Sequence, residues 1–116
     1  NRMTIKMYAI ANCDTVKKAR ASLEKRKIEY EFIDFKKTPP TTDLLKRWQE
    51  FFGDIPVNKK GITYKKYKDE FEALSSKGKI DFIIKNNSMV KRPILEKNDQ
   101  TLAIGFDEEI YGALKI

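Results

Sequence analysis

Between Thr4 and Ile10 the chain alternates, with Ile5, Met7 and Ala9 on one side of an extended segment and Lys6 and Tyr8 on the other. A period of two predicts a short strand. The spacing then changes. Val16, Ala19 and Leu23 recur at three- and four-residue steps among good helix formers, which predicts a helix running to Arg26 or Lys27. From Glu29 to Phe35 a run rich in Tyr, Phe and Ile returns to a strand. Strand, helix and strand at this spacing make a βαβ unit with parallel strands and a right-handed crossover.

Lys36 to Pro40 reads as a connector, after which Thr41, Thr42 and Asp43 offer caps to a helix. Its Leu44, Leu45, Trp48, Phe51 and Phe52 form one apolar stripe up to Gly53, expected to be core. Pro56 to Ile62 is a basic loop around Asn58-Lys59-Lys60-Gly61. Tyr64, Tyr67, Phe71 and Leu74 predict a further helix, and Ser75 or Ser76 can cap another through Ile80, Ile83 and Ile84 that closes near Asn86 and Asn87. Pro93 to Glu96 and Thr101 to Ile104 flank the turn-forming tetrad Lys97-Asn98-Asp99-Gln100, which suits an antiparallel hairpin. Asp107 can cap a last helix, with Ile110, Tyr111 and Leu114 expected inward. The predicted order, βαβ-ααα-ββα, is an α/β fold. No repeat, low-complexity tract or linker interrupts it, so residues 1–116 are expected to form a single domain.

Composition narrows what such a domain does. With 116 residues of which 41% are hydrophobic, one core can be buried without staples. The single cysteine cannot form an internal disulfide, and a free thiol persists best under reducing conditions, so the cytoplasm is the expected location. No window approaches the roughly 20 apolar residues of a membrane span, and no secretory signal pattern opens the chain, so no membrane association is expected. The formal net charge of +7 favours anionic partners. Most of that charge is lysine mixed with acids, as in Glu24-Lys25-Arg26-Lys27, and reads as solvated surface. No basic patch interleaved with aromatics matches a recognised RNA or DNA motif, so nucleic acid is not an expected partner. Histidine is absent, which removes the usual general base, the usual metal ligand and the Cys/His pair of cysteine hydrolases. Neither a metal nor a bound cofactor is expected.

Cys13 lies where the first strand hands over to the first helix, beside unpaired backbone amides and the positive end of the helix dipole. Both stabilise a thiolate over a thiol. Asp14 and Thr15 are capping-type residues, while Lys17, Lys18 and Arg20 add positive charge within two turns and Asp14 opposes it. A dithiol oxidoreductase keeps a second cysteine three positions on, but this chain reads Cys13-Asp14-Thr15-Val16. Any mixed disulfide or oxyanion adduct on Cys13 must therefore be released by an external thiol. The second constellation is Lys91-Arg92-Pro93 ahead of Ile94-Leu95. A proline opening a strand sits at an edge or carries a cis bond, and the planar fork of Arg92 suits an oxyanion or a carboxylate.

Asn12-Cys13-Asp14-Thr15-Val16-Lys17-Lys18-Ala19 after a first strand, with Lys91-Arg92-Pro93-Ile94-Leu95 near the end, resembles the ArsC-like proteins. These comprise glutathione/glutaredoxin-linked arsenate reductases, the Spx/MgsR regulators and the YffB-type proteins, whose CDTxKKA signature is the best likeness. The resemblance spans about Thr4 to Leu114. It implies a thioredoxin-like (glutaredoxin-like) mixed four-stranded sheet with an inserted helical subdomain, and a cis bond before Pro93. In the arsenate reductases a cysteine attacks arsenate, three arginines hold the oxyanion, and glutathione then glutaredoxin complete the cycle. By position Cys13 is the nucleophile and Arg92 the second arginine. Lys60 stands where the first is expected and Ile104-Gly105-Phe106 where the third is expected. The motif residues Asn12, Thr15 and Lys17 join Arg92 and Lys60 as candidate substrate-binding groups. With two of three clamps altered, the expected activity is that of a glutathione-dependent thiol oxidoreductase acting on a small oxyanion or a disulfide, with glutathione or glutaredoxin as partner. The alternative is an Spx-like, RNA-polymerase-binding redox regulator without turnover, although Val16 denies it the CxxC that such regulators often carry.

Overall fold

Residues 4–116 are described by a computed structural model, so the first three residues of the expected domain lie outside the described part. The alternation that opens the chain forms strand β1 (Ile5–Ala9), one of the two inner strands of a four-stranded sheet. It pairs in parallel with β2 (Glu31–Asp34) and antiparallel with β3 (Ile94–Lys97), which forms a hairpin with β4 (Gln100–Ile104). The strand order is β2-β1-β3-β4. Asn98 and Asp99 turn the hairpin with φ of 51° and 62°. That left-handed pair is tolerated best by the short polar side chains found there.

Both faces of the sheet are covered, because each periodicity has a partner layer. Ile5, Met7 and Ala9 pack with Val16, Ala19 and Leu23 of α1 (Asp14–Lys25) and with Tyr111 of α5 (Glu108–Ala113). Tyr8, Ile10 and Ile94 face the opposite layer, made by Leu45 and Trp48 of α2 (Thr42–Phe52), Tyr64 and Phe71 of α3 (Ile62–Glu72), and Ile80 and Ile83 of α4 (Ser76–Lys85). These three helices are the insert between β2 and β3. Trp48 is fully buried, and truncating such a side chain to alanine costs about 3–5 kcal/mol. Local chemistry sets the helix ends. The Thr41 hydroxyl accepts from the Leu44 amide at 3.2 Å, that of Ser75 from the Gly78 amide at 3.1 Å, and the Asp107 carboxylate from the amides of Glu109 and Ile110. Gly53 closes α2 at φ +90°. None of the helices among the described residues is long and apolar enough to cross a membrane.

Two sequence expectations fail in the same place. The spacing of α2 predicts that Phe51 and Phe52 end a buried stripe, yet they are 51% and 43% exposed. The last turn of α2 overhangs β4, an edge strand, and no further layer lies there to cover it. Ile110 was expected inward and is instead 52% exposed, because Tyr111 takes the inward position of the short helix α5.

A buried ionic network ties α2 to the hairpin. Glu96, only 1% exposed, accepts from Arg47 Nε (2.9 Å) and Nη2 (2.6 Å), from Trp48 Nε1 (2.8 Å) and from Thr101 Oγ1 (3.0 Å). The bonds that Arg47 donates to Glu96 raise its pKa further. Tyr8, opposite Ile94 in the register, is pushed up to about 12 by burial and, secondarily, by the Glu96 charge. The sequence signal was present: Glu96 is an acid at a position that alternation from Ile94 turns toward Trp48.

Candidate functional site

Helix α1 begins at Asp14, so Cys13 itself is the N-cap, rather than the capping-type Asp14 or Thr15. Its backbone is extended (φ −140°, ψ 127°), and its carbonyl accepts from the Lys17 amide at 3.0 Å. The thiol makes no capping bond. The first-turn amides therefore have no side-chain acceptor, and the sulfur sits beside the positive end of a twelve-residue helix. Cys13 is half-buried against the α1 and α5 core, whereas Asn12, Thr15 and Lys17 are exposed around it.

The Arg92–Pro93 peptide is cis. Because Tyr8 lies opposite Ile94, Pro93 falls at the end of the sheet where β1 gives way to Asn12 and Cys13. Arg92 is half-buried and anchored: Nη1 donates to the carbonyls of Ser88 (2.7 Å) and Val90 (3.3 Å). Its Nε is buried and finds no partner among the described residues. A guanidinium can grip an oxygen pair bidentately through Nε with Nη2 or through its two Nη groups.

Lys60 is brought to the same region by the loop before α3. Val57 bridges to Val90, the Asn58 amide donates to the Met89 carbonyl at 2.8 Å, and the Lys91 amide donates to the Pro56 carbonyl at 2.8 Å. Within the loop, the Gly61 amide donates to the Asn58 carbonyl at 3.1 Å. This leaves Lys60 exposed, with no ion pair among the described residues.

At the third position Gly105 lies close to both Pro93 and Lys91. The Gly105 amide donates to the Pro93 carbonyl at 2.9 Å, and Gly105 has φ +83°. A Cβ there would stand 3.0 Å from Lys91 Cε. A side chain at 105 would push the flexible end of Lys91 aside, and this contact bears on position 105 alone, since Ile104 and Phe106 already carry side chains. No spacing along the chain signals that Lys91 lies against Gly105, a contact set by the hydrogen bond between Gly105 and Pro93.

A mixed sheet with helices on both faces, a cysteine at the N-cap of α1 and a proline at the facing strand end define a thioredoxin-like α/β protein. The chain belongs to the ArsC family, whose profile matches residues 8–114. It is similar to the solved structure of the YffB protein, 33% identical with a TM-score of 0.83, the alignment covering 95% of this chain and 97% of that one. It is also similar to the crystal structure of a possible arsenate reductase from Streptococcus mutans, 28% identical with a TM-score of 0.76, covering 90% and 92%. The global transcriptional regulator Spx of Streptococcus pyogenes is 28% identical over 109 residues, 90% of this chain and 80% of that protein.

Proposed function

We propose that this protein is a glutathione-dependent thiol oxidoreductase of the cytoplasm in which Cys13 is the nucleophile. One observation carries the reading: the one thiol of the chain occupies the N-cap position of α1 without serving as the cap. The Cys13 thiolate attacks one sulfur of a disulfide R–S–S–R′. The S–S bond breaks, R′ leaves as its thiolate, and a mixed disulfide forms between Cys13 and R. With one cysteine in the chain, glutathione attacks the R sulfur, restores the Cys13 thiolate and leaves R joined to glutathione. On a small oxyanion the same thiolate displaces one oxygen ligand as hydroxide, and glutathione and glutaredoxin thiols supply the two electrons. Arg92 through its guanidinium and Lys60 as a point charge hold the anionic part of either substrate, with Asn12, Thr15 and Lys17 around the sulfur. The test is turnover with glutathione and a low-molecular-weight disulfide, run in parallel with arsenate. Activity lost in Cys13→Ser supports the reading, and equal activity in that variant overturns it.

The likeness to Spx over 90% of the chain favours a second reading, an RNA-polymerase-binding regulator in which Cys13 is at most a sensor. Specific retention of RNA polymerase by the immobilised protein, together with no turnover on any thiol substrate, would select it.

A further inference from the structure

Three of the four large apolar side chains most exposed among the described residues converge on one feature. Phe51, Phe52 and Ile110 line a cleft of about 430 Å³ with Lys91, Ile104 and Phe106, between the end of α2 and the connection from β4 to α5. Solvent-facing aromatic clusters of this kind mark contact sites. The Lys91 ammonium stands 5.7 Å from the centre of the Phe52 ring, giving one wall a cation over an aromatic face. Asp107 also lines the cleft, but its carboxylate caps α5.

The cleft adjoins the cysteine end of the sheet. Lys91 and Gly105 flank Pro93 in sequence and by hydrogen bond, and Pro93 lies where β1 hands over to Cys13. The inward bond from Gly105 to Pro93 means that, by the alternation of an antiparallel pair, the backbone N–H and C=O of Ile104 point outward on an edge strand. Aromatic walls, an outward-facing strand edge and one cation together fit an extended polypeptide. Glutathione, a small and strongly polar tripeptide, has no use for so much aromatic surface.

We propose that this cleft docks an extended segment of a protein disulfide substrate, an aromatic or large aliphatic residue lying between the wall of Phe51 and Phe52 and Ile110 and an acidic residue beside Lys91, so that the segment's cysteine reaches Cys13. The inference rests on the thiol-exchange reading above and names its substrate class. Of the two charged residues lining the cleft, Asp107 is engaged in capping α5 and Lys91 is left to face an acidic partner.

The test has two arms. In the Cys13→Ser protein, a fluorescein-labelled extended peptide bearing two Phe, two Glu and a central Ser is titrated by anisotropy. Saturable binding is expected, weakened about tenfold by Phe51→Ser and again by Lys91→Gln, both at exposed positions, with amide shifts at Ile104 and Ile110. In the parent protein, the matching peptide with a central Cys carried as its 5-thio-2-nitrobenzoate disulfide is compared with bis(2-hydroxyethyl) disulfide. Phe51→Ser is expected to slow the peptide about tenfold and leave the small disulfide unchanged. Absence of binding, or binding indifferent to Phe51→Ser and Lys91→Gln, overturns the docking proposal even where Cys13 still exchanges with the small disulfide. Binding as expected with no exchange on either disulfide overturns the thiol-exchange reading and leaves the cleft a peptide site.

Discussion

Replacing Arg47 by methionine removes the strongest donor to a carboxylate that water does not reach. Glu96 is 1% exposed and would keep only Trp48 Nε1 and Thr101 Oγ1, at 2.8 Å and 3.0 Å. The two lost bonds join charged groups, each contributing about 1.5–3 kcal/mol, and stranding a buried charge by deleting its partner costs about 3–5 kcal/mol. The Arg47 side chain keeps 35% of its exposure, so its attraction to Glu96 is partly screened and the lower end of that range applies. The expected loss is about 3 kcal/mol, with a fall in Tm on the order of 10 °C for a chain of this size. Urea unfolding followed by the fluorescence of Trp48, the only tryptophan, reads the loss directly, because its indole N–H is bonded to the same carboxylate. In the Arg47→Met background, Glu96→Leu is expected to recover part of the stability by removing the stranded charge. A loss under about 1 kcal/mol for Arg47→Met alone would refute the view that this pair ties α2 to the hairpin.

Cys13→Ser is expected to abolish thiol exchange yet raise stability by about 0.5–1 kcal/mol, since a serine at this extended N-cap can accept from a first-turn amide that the thiol leaves free; thermal melts beside activity assays check both. Gly105→Ala is expected to cost about 1–2 kcal/mol, because φ of +83° is strained for alanine and its Cβ would meet Lys91 Cε at 3.0 Å. Chemical denaturation with and without Lys91→Ala separates the contact from the backbone strain. Tyr8 holds its proton up to about 12, above its ordinary value near 10.0, so the unfolded chain releases that proton first. The stability this confers is complete below pH 10 and is lost between pH 10 and 12 at up to about 1.4 kcal/mol per unit, and Tyr8→Phe should flatten that part of the pH profile.

Much of this protein is dictated locally and could be read along the chain. Alternation at Ile5 to Ala9, helical spacing at Val16, Ala19 and Leu23, and turn residues Asn98 and Asp99 are short-range signals, so element order and the place of Cys13 at a strand-to-helix junction followed from them. The edges of the buried layers did not. The apolar stripe of α2 has the same period throughout, and only the width of the sheet beneath it decides that Trp48 is buried while Phe51 and Phe52 face solvent. Long-range pairing likewise fixed what no spacing encodes. Glu96 meets Arg47 and Trp48 across about half the chain, Arg92 spends Nη1 on the Ser88 and Val90 carbonyls, and Lys91 fills the space over Gly105. Sequence determined the place of the one cysteine and the helix that presents it. Tertiary structure decided which cations stand free near that end of the sheet and which apolar residues remain uncovered beside it, because both depend on where layers end and not on local periodicity.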